Sequence, residues 1–313
     1  MFVFSVLLPV LAISLVGYLT LSMRWFESRD ADTLTRFTFN LLIPCLLFVS
    51  TSRSEFNLRE SLSFLAAYYL VVLSMYCLGV LVASRVFHYP PEEQSVYAMG
   101  CAYSNTTIVG IPIVAQALGE AALVPLFFII SIQNLVLFAV GTIAAERAHM
   151  STGSILGAIK RLLKQLLGSP ITASLLAGLA VNALAIPIWE PLFASVELLA
   201  QGAVPASLFV LGMSLGQYHL SRQIVPAVVM TVFNIVLLPL GVWIAMFHVF
   251  DVDPVWAGAG VLASAMPVGM SALVFANRYR TGHGVVAAGS LISSVCSVFT
   301  LTLILLLLAG HAP

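Results

Sequence analysis

Charged residues cut this 313-residue chain into ten apolar runs, each near the roughly 20 residues that a helix needs to cross the hydrocarbon core of a bilayer. The runs cover about 2–23, 33–52, 61–87, 95–118, 121–145, 169–186, 196–216, 223–249, 255–277 and 283–309. In lipid every backbone N–H and C=O must be satisfied within the protein, so only helices and closed barrels span. The runs are about twice as long as a barrel strand, which selects helices. With 60% hydrophobic and 8% charged residues and a mean hydropathy of +1.05, the composition lies far from that of soluble domains. The expected class is an all-α integral membrane protein.

Thirteen Lys plus Arg match thirteen Asp plus Glu, so the charge balance points to no nucleic acid. Cys45, Cys77, Cys101 and Cys296 lie in apolar runs without C-x-x-C spacing and read as small core residues. No metal or cofactor is expected. Met1 to Met23 lacks a basic leading segment and is followed by Arg24, which favours a retained span over a cleaved signal.

The positions of the positive charges orient the chain. With the N-terminus outside, Arg24, Arg29, Arg36, Arg85, Arg147, Lys160, Arg161, Lys164, Arg222, Arg278 and Arg280 fall inside, eleven of thirteen, and only Arg53 and Arg59 fall outside. The positive-inside rule therefore predicts both termini outside, in a plasma or bacterial inner membrane. In the central inside loop, 146–168, Ile155, Ile159, Leu162, Leu163 and Leu166 recur at helical spacing beside Lys160, Arg161 and Lys164. That pattern fits either an amphipathic helix on the inner membrane surface or an inward extension of the sixth span.

The two halves resemble each other. Pro9, Ala12, Leu15 and Gly17 match Pro170, Ala173, Leu176 and Gly178, and Pro44, Leu47 and Phe48 match Pro205, Leu208 and Phe209, all at an offset of 161. Gly100 and Ser104 match Gly260 and Ser264 at an offset of 160. Five spans is an odd number, so repeats at 1–145 and 169–313 would cross the membrane in opposite senses.

Two spans at equivalent positions carry interruptions: "SNTTIVGIP" in the fourth and "SAMPVGMS" in the ninth. Proline removes a helix hydrogen bond and clashes with the preceding turn. New half-helices are expected beyond Pro112 and beyond Pro267, exposing unpaired N–H groups and the positive ends of two dipoles. Two such ends near the midplane would make an anion site without fixed positive charge. Intramembrane proline and glycine are common on their own, and a lone Asn105 is as readily an interhelical contact as a ligand. The repeat symmetry and the clustering with Gly110, Pro112, Pro267 and Gly269 favour a site. The acids lie in loops or at helix ends, so no carboxylate relay of the kind used by proton-coupled carriers is expected. Gln116, Gln133, Asn134, Asn182 and Asn234 are further intramembrane amides, read mostly as interhelical contacts.

The fourth-span segment Asn105 to Val114 resembles the N-T-x-x-x-G-I-P-x-x signature of the auxin efflux carrier family, which includes plant PIN-type carriers and bacterial malate and malonate carriers. Pro267, Gly269, Val274, Phe275, Ala276 and Tyr279 are similar to that family's ninth-helix pattern, and Gln133 with Glu146 and Arg147 to its fifth helix. The resemblance implies ten transmembrane helices in two inverted five-helix repeats, with broken helices 4 and 9 crossing, as in bile-acid symporters and sodium-proton antiporters. It implies Asn105 as the principal ligand and Gln133 as a contact from the fifth helix, and with the two interruptions the expected substrate site is Asn105, Thr106, Thr107, Gly110, Ile111, Pro112, Gln133, Met266, Pro267, Val268 and Gly269. It also implies an elevator-like cycle and a homodimer through helices 1, 2, 6 and 7. The third span lacks the charged pair of the plant members, Leu47 stands where they carry serine, and the central loop is short. A small carboxylate such as malonate or malate therefore fits better than an indole acid.

The expected function is transport of a small organic anion by alternating access, not an enzymatic activity. Uniport driven by the membrane potential is favoured. A sodium-coupled symporter and a non-transporting sensor of organic acids are the alternatives. An intramembrane hydrolase is disfavoured, because Ser104, Ser264 and Ser271 have no buried His or Asp partner in the sequence.

Overall fold

The structure, a computed structural model, describes residues 2–53, 58–146, 170–215 and 223–309. Among the described residues it is all-helical, with no strand beyond one isolated bridge. Six stretches are long and apolar enough to cross a bilayer: Arg29–Ser52, Ser61–Arg85, Glu120–Ala145, Glu190–Met213, Ile224–Val249 and His283–Leu308. Shorter apolar helices cover Ala12–Ser22, Thr106–Leu118, Pro170–Ala183 and Pro254–Ser264. The amphipathic pattern at 155–166 lies outside the described residues.

Several helices begin before their apolar runs. The second begins at Ser28, the fourth at Pro91, the seventh at Glu190 and the ninth at Pro254. Helix first turns favour proline and acidic residues, which hydropathy counts as loop. Thus Asp30 Oδ2 accepts from Glu27 N at 2.8 Å, Pro91 precedes Glu92 and Glu93, and Asp253 Oδ1 caps Val255 N and Trp256 N at 2.9 and 3.2 Å.

In chain order the α-helices are α1 (Phe2–Ser22), α2 (Ser28–Phe37), α3 (Ile43–Ser52), α4 (Leu58–Arg85), α5 (Pro91–Ala102), α6 (Ile111–Leu118) and α7 (Leu123–Glu146). There follow α8 (Pro170–Ala183), α9 (Glu190–Gln201), α10 (Ala203–Leu215), α11 (Ile224–Val232), α12 (Leu238–Ile244), α13 (Pro254–Ser264), α14 (Met270–Tyr279) and α15 (His283–Ala309).

Prolines inside three spans follow one rule. Pro44, Pro112 and Pro239 each take the second position of an α-helix that continues directly from a five-residue π-helical turn, at Thr38–Leu42, Thr106–Gly110 and Phe233–Leu237. The wider turn shifts the preceding carbonyls and relieves the clash that a proline ring makes in an α-helix. Backbone angles stay helical through each junction, with φ −67 and ψ −47 at Leu42, −68 and −46 at Gly110, and −70 and −41 at Leu237.

The helices sort by their packing. Helix α1 lies against α10, and α3 against α8 and α9; elsewhere α4 packs on α5, α5 on α7, α11 on α15, and α12 on α13. Close approach in the first group depends on glycine, as membrane interfaces do generally. A Cβ on Gly17 would stand 2.1 Å from Phe209 O, and one on Gly178 would stand 2.9 Å from Phe48 O. Ser14 Oγ donates to Leu208 O at 3.1 Å, and Asn182 Nδ2 donates to Ser52 O at the end of α3 at 3.0 Å.

Candidate functional site

The two interrupted stretches read from the sequence both break, and the breaks pair with each other. Helix α5 stops at Ala102, Tyr103 to Asn105 run extended or irregular, and the next turn starts at Thr106. Helix α13 stops at Ser264, and α14 starts at Met270 with Gly269 extended as its N-cap. The two gaps pair in antiparallel fashion through a bridge between Ser104 and Val268. Asn105 N donates to Pro267 O and Gly269 N to Tyr103 O, both at 2.8 Å. Each gap thereby satisfies backbone groups that the other has freed, which the low-dielectric interior demands. Gly269 is required at this approach, because a Cβ there would lie 2.5 Å from Tyr103 Cδ1.

The second half-helix of the fourth span does not begin beyond Pro112 as the sequence suggested but at Thr106. The break is confined to Tyr103 to Asn105, and Ile111 and Pro112 sit buried in a continuous helix. The π-helical turn before Pro112 is the reason. Pro267 does lie within the ninth-span gap, ahead of the helix that starts at Met270.

Asn105 is the N-cap of the helix that starts at Thr106: its Oδ1 accepts from Ile108 N at 3.2 Å, and its carbonyl accepts from Val109 N and Gly110 N at 3.2 and 3.1 Å. The cap engages only Oδ1, so it leaves the amide Nδ2 uncommitted. The first-turn amides of Thr107 and Ser271 have no acceptor earlier in their own helices, and both residues are partly exposed. Gly110 faces Met266, whose Cγ would be 3.5 Å from a Cβ built on the glycine. Met266 and Val268 are buried.

Gln133 of α7, only 2% exposed, ties the crossing together. Its Oε1 accepts from Thr106 Oγ1 at 2.6 Å, and its Nε2 donates to Ser104 O at 3.1 Å. Both ends of the amide are thus used on the fourth span. Asn134 and Asn234, read from sequence as interhelical contacts, also reach the crossing, as does Ser293, which the sequence did not single out. Tyr103 OH donates to Asn134 Oδ1 at 2.6 Å, Ser293 Oγ accepts from Val268 N at 3.0 Å, and Asn234 Nδ2 donates to Ser104 Oγ at 3.3 Å. Ser104 Oγ in turn donates to Ser264 O at 2.8 Å. Asn234 Oδ1 is buried without a partner in the structure, a state that costs about 1–3 kcal/mol when nothing fills it. Of the other intramembrane amides, Gln116 is exposed and remote from these bonds.

Among the described residues no group of three or more His, Cys, Asp or Glu could hold a metal ion. The polar groups that the hydrogen bonds above bring together are amides, hydroxyls and backbone groups. A separate cleft of about 440 Å³ opens between α3 and α9 on one side and α7 and α13 on the other. Its charged lining is Arg53, Glu120, Glu197 and Asp253, all at the end of the molecule that the charge pattern assigns to the outside. Arg53 pairs with Glu197 at 3.7 Å and stacks over the Phe193 ring at 4.0 Å.

The family model described as "Membrane transport protein" matches residues 2–305. The chain belongs to the membrane transport protein family. This is the auxin efflux carrier family to which the fourth- and ninth-span motifs pointed. The chain is similar to a Rhizobium meliloti protein named "Putative malonate transporter", with 26% identity over 320 residues that cover 99% of this chain and 97% of the relative. It is also similar to an uncharacterized transporter of Methanothermobacter thermautotrophicus, at 23% identity over 95% of each chain. A third relative, an uncharacterized transporter of Methanocaldococcus jannaschii, is 21% identical over 96% of each. This member of the membrane transport protein family thus aligns with its relatives along nearly its whole length.

Proposed function

We propose that this membrane transport protein carries a small organic carboxylate, of the malonate or malate class, across the plasma or bacterial inner membrane by alternating access. One observation carries the proposal: in a transporter-family chain, the breaks in the fourth and ninth spans pair in antiparallel fashion, and a new helix starts from each of them, with Asn105 capping one. Helix N-termini attract anions through unpaired N–H groups and the dipole. The Asn105 amide, the hydroxyl of Thr107, and the N–H groups of Thr107 and Ser271 are the donors assigned to the carboxylate, while the Thr106 hydroxyl is held by Gln133. Gln133 orients Thr106 and Ser104 and acts as a positioning residue. The name of the Rhizobium relative supports the substrate class, and the neutral donor set supports reversible binding.

The assignment of ten spans to two inverted repeats is supported by reciprocal contacts. Gly17 meets Phe209 and Gly178 meets Phe48, and both residue types are related by the 161-residue spacing. In the elevator cycle proposed here α1–α3 and α8–α10 form the static, dimer-forming scaffold, and the helices around the crossing move against it. The cleft beside Arg53 lies on that boundary. Reconstituted protein should show saturable uptake of radiolabelled malonate or malate that Asn105→Ala abolishes in a folded variant. Wild-type uptake equal to that of empty vesicles across a panel of organic acids would overturn the proposal.

A further inference from the structure

Asn134 is exposed although it stands near the middle of the Glu120–Ala145 span. Its direction shows what it is exposed to. At about 100° per residue, Phe127, Ile130, Ser131, Leu137 and Gly141 lie within about 60° of it around α7, and all are buried. Ile143, half exposed, and the half-buried Ile132 and Val136 lie on the opposite side. The lipid face of α7 is therefore turned away from Asn134, whose amide opens into space inside the protein. Polar side chains at this depth face such interiors, because lipid offers them no partner. Ser131, on the same side of α7, also keeps a buried hydroxyl without a partner in the structure.

Hydrogen bonds fix where that space lies. Asn134 Oδ1 accepts from Tyr103 OH at 2.6 Å, and the same hydroxyl hydrogen-bonds with the Ser271 side chain. Two bonds to one oxygen hold the Asn134 amide and the Ser271 side chain on the order of 6 Å apart or less. Ser271 is in the first turn of α14, partly exposed, with an N–H that has no acceptor earlier in its helix. The bond from Tyr103 engages only Oδ1, so the Nδ2 hydrogens of Asn134 are left to donate beside that helix start. Alternation along an extended stretch puts the Tyr103 and Asn105 side chains on one side and that of Ser104 on the other. The group around the Tyr103 hydroxyl and the Asn105 cap thus border one face of the crossing.

The two helix starts differ in a way that gives Asn134 a task. The fourth-span start has its own amide, Asn105. At the repeat offset of 160, which matches Ser104 with Ser264, the counterpart of Asn105 is Ala265, buried and without a donor side chain. We propose that Asn134 supplies the missing amide from α7. Its Nδ2 and the Ser271 N–H hold one carboxylate of the transported anion while Asn105 and Thr107 hold another, so the site selects dicarboxylates over monocarboxylates. The assignment rests on the carboxylate reading above and adds a second contact to it.

Two measurements on the full-length protein test this. In the first, the four native cysteines are replaced and a small charged thiol reagent is added to the protein in detergent. Asn134→Cys should react, because a thiol needs water to form the reactive thiolate, and Val136→Cys, at similar depth on the opposite side, should not. No reaction at Asn134→Cys, or equal reaction at both, overturns the proposal. In the second, saturable stabilisation against heating reports binding of malonate and of propionate at constant ionic strength. Asn134→Leu should raise the malonate midpoint roughly tenfold or more, as loss of a hydrogen bond to a charged group implies, and leave that for propionate unchanged. Asn134→Cys takes its place if Asn134→Leu does not fold. An unchanged malonate midpoint, or equal losses for the two acids, overturns the role of Asn134 and leaves the carboxylate reading standing. A wild-type protein that responds to no acid in an organic-acid panel overturns both.

Discussion

Ser104 and Val268 form a single antiparallel bridge between the interrupted fourth and ninth spans, flanked by backbone bonds from Asn105 to Pro267 and from Gly269 to Tyr103. Within a bilayer an extended segment is tolerable only where protein satisfies it. Here each interruption supplies the partner for the other, so neither could exist alone. The pairing also places the Asn105 cap beside the ninth-span gap without any charged residue.

Asn105 serves as a cap and as the proposed ligand, and two substitutions separate the roles. Asn105→Ala should lose about 0.5–2 kcal/mol of stability with the cap and should also lose uptake. Asn105→Ser keeps an oxygen for Ile108 N but has no amide donor. It should recover most of the stability while carboxylate affinity stays roughly tenfold or more below wild type, as loss of a hydrogen bond to a charged group implies. Unfolding and uptake measured on the same preparations decide it.

Gln133 and Thr106 should behave as one unit. Gln133→Leu or Thr106→Val leaves a buried partner unsatisfied and should cost about 1–3 kcal/mol singly. The double variant should cost less than the sum, with a coupling of about 0.5–3 kcal/mol, as read by denaturant unfolding of the four proteins. Simple additivity would mean that the 2.6 Å contact contributes nothing specific.

The helical architecture was legible from charge spacing alone, because lipid leaves a chain with such long apolar runs few alternatives. The interruptions were legible too, from Asn105, Gly110, Pro112, Pro267 and Gly269. The point at which the fourth span resumes as a helix was not, since the rule that proline breaks a helix gives no sign that a π-helical turn can absorb Pro112. Asn234 and Ser293 were recognisable as polar residues in apolar runs. That they converge on Ser104 and Val268 is a tertiary fact, invisible to spacing along one span. The polar starts at Ser28, Pro91 and Glu190 were missed because a helix cap looks like a loop to a hydropathy scale.

Glycine substitutions should rank by what a methyl group meets. A Cβ at Gly212 would stand 1.8 Å from Ser14 O, and one at Gly17 would stand 2.1 Å from Phe209 O, both rigid backbone. Gly17→Ala and Gly212→Ala should each cost about 1–3 kcal/mol or more by forcing α1 off α10. Gly110→Ala meets Met266 Cγ at an ordinary 3.5 Å and should change stability by less than about 1 kcal/mol. Thermal unfolding in detergent gives the order.

Cysteine labelling tests the orientation. With the four native cysteines replaced, Ala121→Cys, exposed beside the Arg53 cleft, should react with a membrane-impermeant thiol reagent added to intact cells. His283→Cys, exposed at the start of α15, should react only after permeabilisation. The reverse pattern would invert the topology drawn from the positive charges.

The π-helical turns before Pro44, Pro112 and Pro239 decide where this molecule can flex. Each lets a proline stay inside a helix that remains continuous, so these spans are stiff rods across the very residues that look most like hinges. Compliance is left to the short non-helical stretches at Tyr103 to Asn105 and Ala265 to Gly269, and those two stretches are strapped to one another. A swing of either half-helix must therefore drag its counterpart, and the crossing moves as a single mechanical joint.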